Sequence, residues 1–164
     1  VTINPTATYT ATFATTLGGF IVTLDAKHAT QAVNNFIYLA NQHFFTCATF
    51  DQVLPGMFDA SGDPTGSGSG GPGYTIAAEN VPTKYAPGDV VMTRSAAGTS
   101  GSQFLVVVHK EPVTLTNGSS LFGTVTSGID VLDQINKEGN TTSAKDGHTP
   151  LVVHRILGIT IHQS

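Results

Sequence analysis

The sequence predicts a mainly β domain, an antiparallel barrel or sandwich to which two helices are added. Three observations favour this class. Most of the chain consists of short β-branched or apolar runs that are separated by Gly and Pro. Only two stretches change to a helical period, and strands and helices do not alternate as they do in parallel α/β folds. At 164 residues the chain has the length of one ordinary domain.

The first elements are a hairpin and a helix. Apolar and Thr residues alternate over 9–16 and again over 20–24, and Gly18-Gly19 between the two runs predicts a tight hairpin turn. The stretch ATQAVNNFIYLAN at 29–41 then carries apolar residues at i, i+3, i+4 and i+7. This spacing predicts an amphipathic helix.

The later elements are strands and one more helix. Residues 63–73, DPTGSGSGGPG, predict a loop because Gly and Pro interrupt every regular period. Four later runs have the length and composition of strands: GDVVMT, SQFLVVV, LFGTV and LVVHRILGITI. Residues 127–137 predict a second short helix, and Ser127 and Asp130 have the spacing of a capping box at its start.

The composition excludes several kinds of site. The net charge is -4 and no basic run is present, so we expect no nucleic-acid partner. Cys47 is the only cysteine, so no intrachain disulfide can form, and we expect its side chain to be buried as a small apolar group. The histidines are scattered without the spacing of metal ligands, so we expect no metal site.

The start of the chain bears on the cellular location of the protein. It begins with Val1 rather than Met, it is rich in Thr and Ala, and Lys is scarce. These features suggest a trimmed or mature fragment from an extracytoplasmic or cell-envelope protein, with the cytoplasm as the alternative.

The Gly-rich loop does not match a phosphate-binding motif. No G-x-x-x-x-G-K-[ST] is present, and the G-x-G-x-x-G spacing at 66–71 is not followed by an amphipathic helix. We therefore expect these glycines to shape the backbone. Asp63, in GDPTG, is expected to cap a turn, and Asp51 is expected to face solvent.

Taken in order, four segments resemble the cyclophilin family of peptidyl-prolyl isomerases. AVNNFIYLA is similar to the first-helix signature, and TFDQVLPGM…GDPTGSGSGGPGYTIAAE to the active-site strand and the following loop. GDVVMTRSAAGTSGSQFLVVV is similar to the central strands, and LFGTVTSGIDVLDQI to the late strand and second helix. The resemblance implies a closed eight-stranded antiparallel β-barrel capped by two α-helices. It covers residues 9–164, with residues 1–8 as an N-terminal extension or linker.

The resemblance also implies an activity, the rotation of X-Pro peptide bonds in Pro-containing peptides or unfolded proteins, without a cofactor. The barrier to this rotation is about 18–20 kcal/mol. The enzyme needs an apolar pocket for the proline ring and a donor for the prolyl nitrogen, which becomes a lone-pair acceptor as the bond twists. In the family that donor is an Arg in a Phe-x-Arg-Val motif. Here the motif reads Phe50-Asp51-Gln52-Val53, so Gln52 stands at the catalytic position and we expect weak activity.

Other positions of the implied site also depart from the family. The usual Phe-Met order is inverted to Met57-Phe58, Thr93-Arg94-Ser95 stands at an Ala-Asn-Ala run, and Leu105 replaces a second Phe. The loop at 112–121 lacks the family Trp, which argues against cyclosporin-type binding. Arg94 either supplies part of the missing charge or is a solvated loop residue. The residues implied to bind substrate are Phe50, Met57, Phe58, Met92, Thr93, Arg94, Thr99, Gln103, Phe104, Leu105 and Leu115.

Three functions fit this sequence. The chain is a weakened isomerase, a module that binds Pro-containing segments without turnover, or an interaction domain of a larger surface protein. In each case we expect a monomer.

Overall fold

The computed structural model describes residues 2–115, 117–142 and 148–164. It contains nine strands and two helices within this part of the chain. Their bounds are β1 Tyr9–Thr15, β2 Gly19–Leu24, α1 Thr30–Asn41, β3 Gln52–Leu54, β4 Phe58–Ser61, β5 Thr75–Ile76, β6 Asp89–Ser95, β7 Gly98–Val107, β8 Ser120–Ser127, α2 Ile129–Lys137 and β9 Ile156–Gln163. No helix of these residues is both long and apolar enough to cross a membrane.

The strands form one antiparallel sheet that curls into a barrel. Its order is β3-β4-β7-β6-β8-β2-β1-β9, and the short β5 pairs with β7 beside this path. The two ends of the path meet just outside their strands, where Thr49 is bridged to Arg155. Phe50 N donates to His154 O at 3.0 Å, and Ile156 N donates to Ala48 O at 2.9 Å. The predicted mainly β barrel with two helices is confirmed.

The main core lies inside the barrel and under α1. Phe13 and Phe20, opposite each other on β1 and β2, stack at 4.4 Å between ring centroids. Phe36 of α1 is fully buried and lies 5.3 Å from Phe122 of β8 and 5.2 Å from Phe45. The helix is therefore fixed to the barrel by its apolar stripe, as its period predicted.

Glu79, distant in the chain, caps the first turn of α1. Ala29 is the N-cap residue of α1, and it provides no side-chain hydrogen bond to the helix. Glu79 Oε2 instead accepts hydrogen bonds from Gln31 N at 2.9 Å and Ala32 N at 3.0 Å. A carboxylate at this end also complements the helix dipole. This contact ties the segment after the Gly-rich loop to α1.

The residues before β1 pack against the domain. Ile3 is buried in the main core, and its backbone N donates to Asn34 Oδ1 of α1. Thr8 and Ser164 exchange backbone hydrogen bonds at 3.1 and 3.0 Å. Val1 lies outside the described residues.

Three local predictions are wrong. The capping box at Ser127 does not form, since β8 runs through Ser127 and the N-cap residue of α2 is Gly128, whose φ of 78° is left-handed. A Cβ at Gly128 would lie 2.4 Å from Gly19 O, so only glycine fits this junction. The last strand begins at Ile156, and 151–153 are exposed and outside it. Cys47, predicted to be buried, is exposed in a turn where its φ is 68°.

Candidate active site

The register of the sheet places Gln52 at the end of an outward-facing apolar row. Gln52 on β3 lies opposite Ala60, and Ala60 lies opposite Leu105. Leu105 lies opposite Val91 on β6, which in turn lies opposite Leu121 on β8. Residues directly opposite in an antiparallel sheet share a face. The polar amide of Gln52 therefore borders a continuous apolar surface outside the barrel.

This surface is a second, smaller apolar cluster, called the apolar platform below. Its buried members are Ala60, Tyr85, Val91, Leu105 and Val107, and its half-buried members are Phe58, Val113, Leu115 and Leu121. The hydroxyl of Tyr85 donates to Ser119 O at 2.6 Å, so the polar end of this buried ring is satisfied. The half-buried members leave apolar area open to a ligand.

A polar cleft of about 800 Å³ lies on the other side of Gln52. One wall is the Gly-rich segment 68–73 with Tyr74 and Thr75, and the other is the β6–β7 hairpin at 93–100. Gln52, Ala60 and Gln103 also line it. Gln52 and Ala60 thus belong to the cleft and to the apolar row, so a bound chain can contact both regions at once.

The carboxamide of Gln52 lies against the Gly-rich loop. A Cβ at Gly68 would come within 2.6 Å of Gln52 Nε2, and the φ of Gly68 is +79°. Gln52 is half-buried, and its side chain makes no hydrogen bond to any residue that the structure describes. Its donors are therefore available to a ligand.

Gln103 is held more tightly. Its Nε2 donates to Gly70 O of the loop at 2.7 Å, and its backbone N donates to Ser100 Oγ at 2.9 Å. Thr93 Oγ1 donates to Gln103 O at 3.3 Å. Gln103 therefore joins the two walls of the cleft, while Gln52 stays available between them.

Asp63 organises the Gly-rich loop. It accepts backbone hydrogen bonds from Thr65, Ser67, Ser69 and Gly70 at 2.7 to 3.1 Å. Burial alone would raise the pKa of Asp63, but the hydrogen bonds from Thr65, Gly70 and Ser67 outweigh it and hold this pKa well below its usual range. The predicted turn-capping role is confirmed, and Asp63 is a permanent anion that supports the cleft wall.

Asp51, beside Gln52, does not face solvent as the sequence suggested. The loop covers it, since a Cβ at Gly68 would lie 3.8 Å from Asp51 Oδ2. That oxygen is buried, and no described residue makes a hydrogen bond to it. Burial first, and the charge of Asp63 second, raise the pKa of Asp51 to about 6.

Asn136 of α2 fixes the β3–β4 hairpin that carries Gln52. Its Oδ1 accepts from Gly56 N at 2.7 Å, and its Nδ2 donates to Leu54 O at 3.0 Å and to Phe58 O at 3.2 Å. Nδ2 also lies 2.8 Å from Asp59 Oδ1. Burial raises the pKa of Asp59 to about 7, against the opposing hydrogen bond from Asn136.

The structure separates the predicted substrate-binding residues into two groups. Phe50, Met92 and Phe104 have no exposed surface and lie in the main core. Strand alternation explains Phe104, which points inward between the outward Gln103 and Leu105. These three residues support the site from below and do not line it.

The other predicted residues lie closer to the site. Thr99 lies opposite the cleft residue Arg94, is 1% exposed, and its hydroxyl has no hydrogen-bond partner among the described residues. Met57 is half-buried in the turn between β3 and β4. Members of the platform are Phe58, Leu105 and Leu115, and residues that line the cleft are Thr93, Arg94 and Gln103.

Sequence reasoning missed the supporting residues Asn136 and Tyr74. Tyr74 lines the cleft, and its hydroxyl donates to Asn35 Oδ1 of α1 at 2.5 Å. Both act through contacts distant in the chain, for which no local pattern exists. Within the described residues, no group of three or more His, Cys, Asp or Glu side chains is placed to hold a metal ion.

Comparisons with known proteins agree with this geometry. The model of the family described as cyclophilin type peptidyl-prolyl cis-trans isomerase/CLD matches residues 10–161. The peptidyl-prolyl cis-trans isomerase A of Mycobacterium tuberculosis is 35% identical, over 95% of this chain and 95% of that protein. A peptidyl-prolyl cis-trans isomerase of Helicobacter pylori is 37% identical, over 79% of this chain and 81% of that protein.

Solved structures give the same result. A crystal structure of a Cryptosporidium parvum cyclophilin type peptidyl-prolyl cis-trans isomerase superimposes with a TM-score of 0.83 and 25% identity. The match covers 96% of this chain and 99% of that one. The same protein in the presence of the dipeptide Ala-Pro matches with a TM-score of 0.82.

Proposed function

The chain belongs to the cyclophilin-type peptidyl-prolyl cis-trans isomerase family as a divergent, bacterial-like member, and on this premise we propose that it is an isomerase of X-Pro bonds with low turnover. The observation that carries the proposal is the carboxamide of Gln52, which borders the apolar platform with no hydrogen bond to a described residue. A related protein has been crystallised in the presence of Ala-Pro, which supports Pro-containing peptides as substrates.

The proline ring rests on the apolar platform, against Phe58 and Leu115 over the floor of Leu105. Removal of the ring from water supplies binding free energy without a specific polar contact. The peptide on either side of the proline extends into the polar cleft. Gln52 lies between the two regions, where the prolyl nitrogen of the bound peptide would be.

Gln52 then acts on the twisted bond. In the planar peptide the prolyl nitrogen has no free lone pair, because resonance delocalises it. As the bond rotates the lone pair localises, and the Nε2 of Gln52 donates a hydrogen bond to it. Such an interaction exists only in the transition state and therefore accelerates the reaction.

The neutral amide makes this acceleration small. Hydrogen bonds that involve a charged group contribute about 1.5–3 kcal/mol, and neutral ones about 0.5–1.5 kcal/mol. The difference between the two contributions, about 1–2 kcal/mol of transition-state stabilisation, lowers the rate about five- to thirty-fold. The chain therefore turns over slowly relative to family members that carry Arg at this position.

The test combines turnover with binding. Isomerisation of an Ala-Pro peptide is measured by NMR exchange for the natural chain, Gln52→Arg and Gln52→Ala, and the Kd comes from chemical-shift titration of the same samples. We expect slow exchange in the natural chain, faster exchange in Gln52→Arg and slower exchange in Gln52→Ala, with similar Kd values. Rapid exchange in both the natural chain and Gln52→Ala would overturn the role of Gln52.

A second candidate function is a binding module without turnover. The structure of the site favours it, because the apolar platform and the polar cleft are both present. The donor is the part that is altered, since Gln52 stands at the position of the family Arg. In that case the peptide binds, but neither the natural chain nor Gln52→Arg accelerates exchange. A chain that neither binds the peptide nor turns it over would instead be an interaction domain.

A further inference from the structure

Arg94 is the one charged residue among the described residues that line the polar cleft. The rest of the lining is Gln, Ser, Thr, Gly, Ala, Pro and Tyr. Arg94 is exposed, and no carboxylate of the described residues pairs with it. The chain as a whole has a net charge of -4. Because the other described lining side chains are uncharged, the guanidinium of Arg94 is the group of this lining that attracts anions.

The backbone around Arg94 explains why it faces the cleft. On β6, Met92 points into the core, so strict alternation would direct Arg94 inward as well. The pairing of β6 with β7 shifts between Met92 and Arg94, and Arg94 then lies opposite Thr99. Between these two pairs β6 has one residue and β7 has four, so the regular pairing of the sheet is interrupted just before Arg94. Asn117 Nδ2 also donates a hydrogen bond to Arg94 O at 3.2 Å, which fixes the backbone of β6 at Arg94.

We infer that Arg94 selects Pro-containing segments that carry an anionic side chain next to the X-Pro bond; this inference rests on the proposed function. The planar guanidinium pairs with a carboxylate or a phosphate through two parallel hydrogen bonds. Because Gln52 and Arg94 line the same cleft, a segment whose proline lies on the platform places a flanking side chain near Arg94. The shared chemistry is an oxyanion, from Asp or Glu or from a phosphorylated Ser.

The experiment uses peptides built around Ala-Pro with one variable residue, placed either before or after this pair. The variable residue is Glu, phosphoserine, Gln or Lys, and Kd is measured by NMR titration at low and high salt. The proteins are the natural chain, Arg94→Gln, Arg94→Glu and the control Arg155→Gln, which removes an exposed cation outside the cleft.

For one of the two placements, we expect the natural chain to bind the anionic peptides about three- to ten-fold more tightly than the Gln peptide at low salt. High salt should reduce this preference. Arg94→Gln should abolish it, Arg94→Glu should shift it to the Lys peptide, and Arg155→Gln should retain it. The inversion by Arg94→Glu is a readout that a merely structural role of Arg94 would not produce. A difference between the Glu and phosphoserine peptides identifies the preferred oxyanion.

The inference is overturned if the natural chain binds all peptides of both placements equally, or if Arg94→Gln keeps the preference. Equal binding of all peptides leaves the proposed isomerase function intact and removes only the role of Arg94. A failure of every peptide to bind would contradict the proposed function, and the inference about Arg94 would fail with it.

Discussion

At the scale of single residues, the site depends on polar side chains whose neighbours set their chemistry. Gln52 keeps its donors because the adjacent loop residue, Gly68, has no side chain to cover them. Asp63 is fixed as an anion by the loop hydrogen bonds. Asp59 is the opposite case, since it is fully buried and one of its oxygens has no partner in the part of the chain that the structure describes. Burial without enough partners favours the protonated carboxyl.

Asp59 makes stability fall as pH rises. Its pKa is raised from 3.8 to about 7 in the folded chain, so the folded state binds this proton more tightly than the unfolded state. The stabilisation is fully present below pH 3.8 and is lost as pH rises through about 7. Between pH 5 and pH 8, the free energy of unfolding of the natural chain should fall as Asp59 loses its proton. In Asp59→Asn we expect this fall to be smaller by about 2–3 kcal/mol.

Urea unfolding at the two pH values measures this difference. The control is Asp130→Asn, an exposed acid in the first turn of α2, which should leave the difference between pH 5 and pH 8 unchanged. An identical loss in the natural chain and in Asp59→Asn would show that Asp59 does not carry the effect.

At the scale of elements, contacts distant in the chain complete what local patterns leave open. Glu79 supplies the cap that α1 lacks, and Asn136 of α2 fixes the β3–β4 hairpin. The period of α1 was readable from the sequence because its apolar stripe is continuous. Its cap was not, since it comes from a residue 48 positions away from Gln31. The start of α2 was not readable from the sequence either. Its N-cap is Gly128 in a left-handed conformation, whereas the spacing of Ser127 and Asp130 had indicated a capping box.

The cap of α1 gives a second stability prediction. Glu79→Ala leaves two backbone donors of the first turn without a side-chain acceptor, and we expect it to lower the free energy of unfolding by about 0.5–2 kcal/mol. Urea unfolding measures it, with the exposed Glu111→Ala as the matched control, for which we expect a change within about 0.5 kcal/mol. Equal effects of the two substitutions would rule out a capping role for Glu79.

At the scale of the whole molecule, the strand register decides which predicted residues form the site. The resemblance to the cyclophilin family placed Met92, Phe104 and Leu105 together among the implied substrate-binding residues. Alternation along β6 and β7 sends Met92 and Phe104 into the barrel and leaves Leu105 on the outer platform. The family fold and the position of Gln52 were predictable from ordered motifs. The side of the sheet that each residue faces was not, because it depends on pairing partners and on the bulge before Arg94.

The barrel therefore presents two adjacent surfaces with Gln52 between them. The platform presents apolar side chains, and the cleft has polar walls with one cation, Arg94, among its described lining residues. On the function proposed above, this arrangement binds a Pro-containing segment, while the chemistry depends on a single neutral amide. The proposal therefore predicts low turnover with intact binding for the molecule as a whole.

The ratio of kcat/KM for Ala-Pro isomerisation between Gln52→Arg and the natural chain tests this account most directly. We expect the ratio to be about five to thirty, because the charged donor adds about 1–2 kcal/mol of transition-state stabilisation over the neutral one. The Kd for the peptide should change little, since the platform is untouched. A ratio near one, with high activity in the natural chain, would contradict the claim that the neutral amide of Gln52 limits turnover.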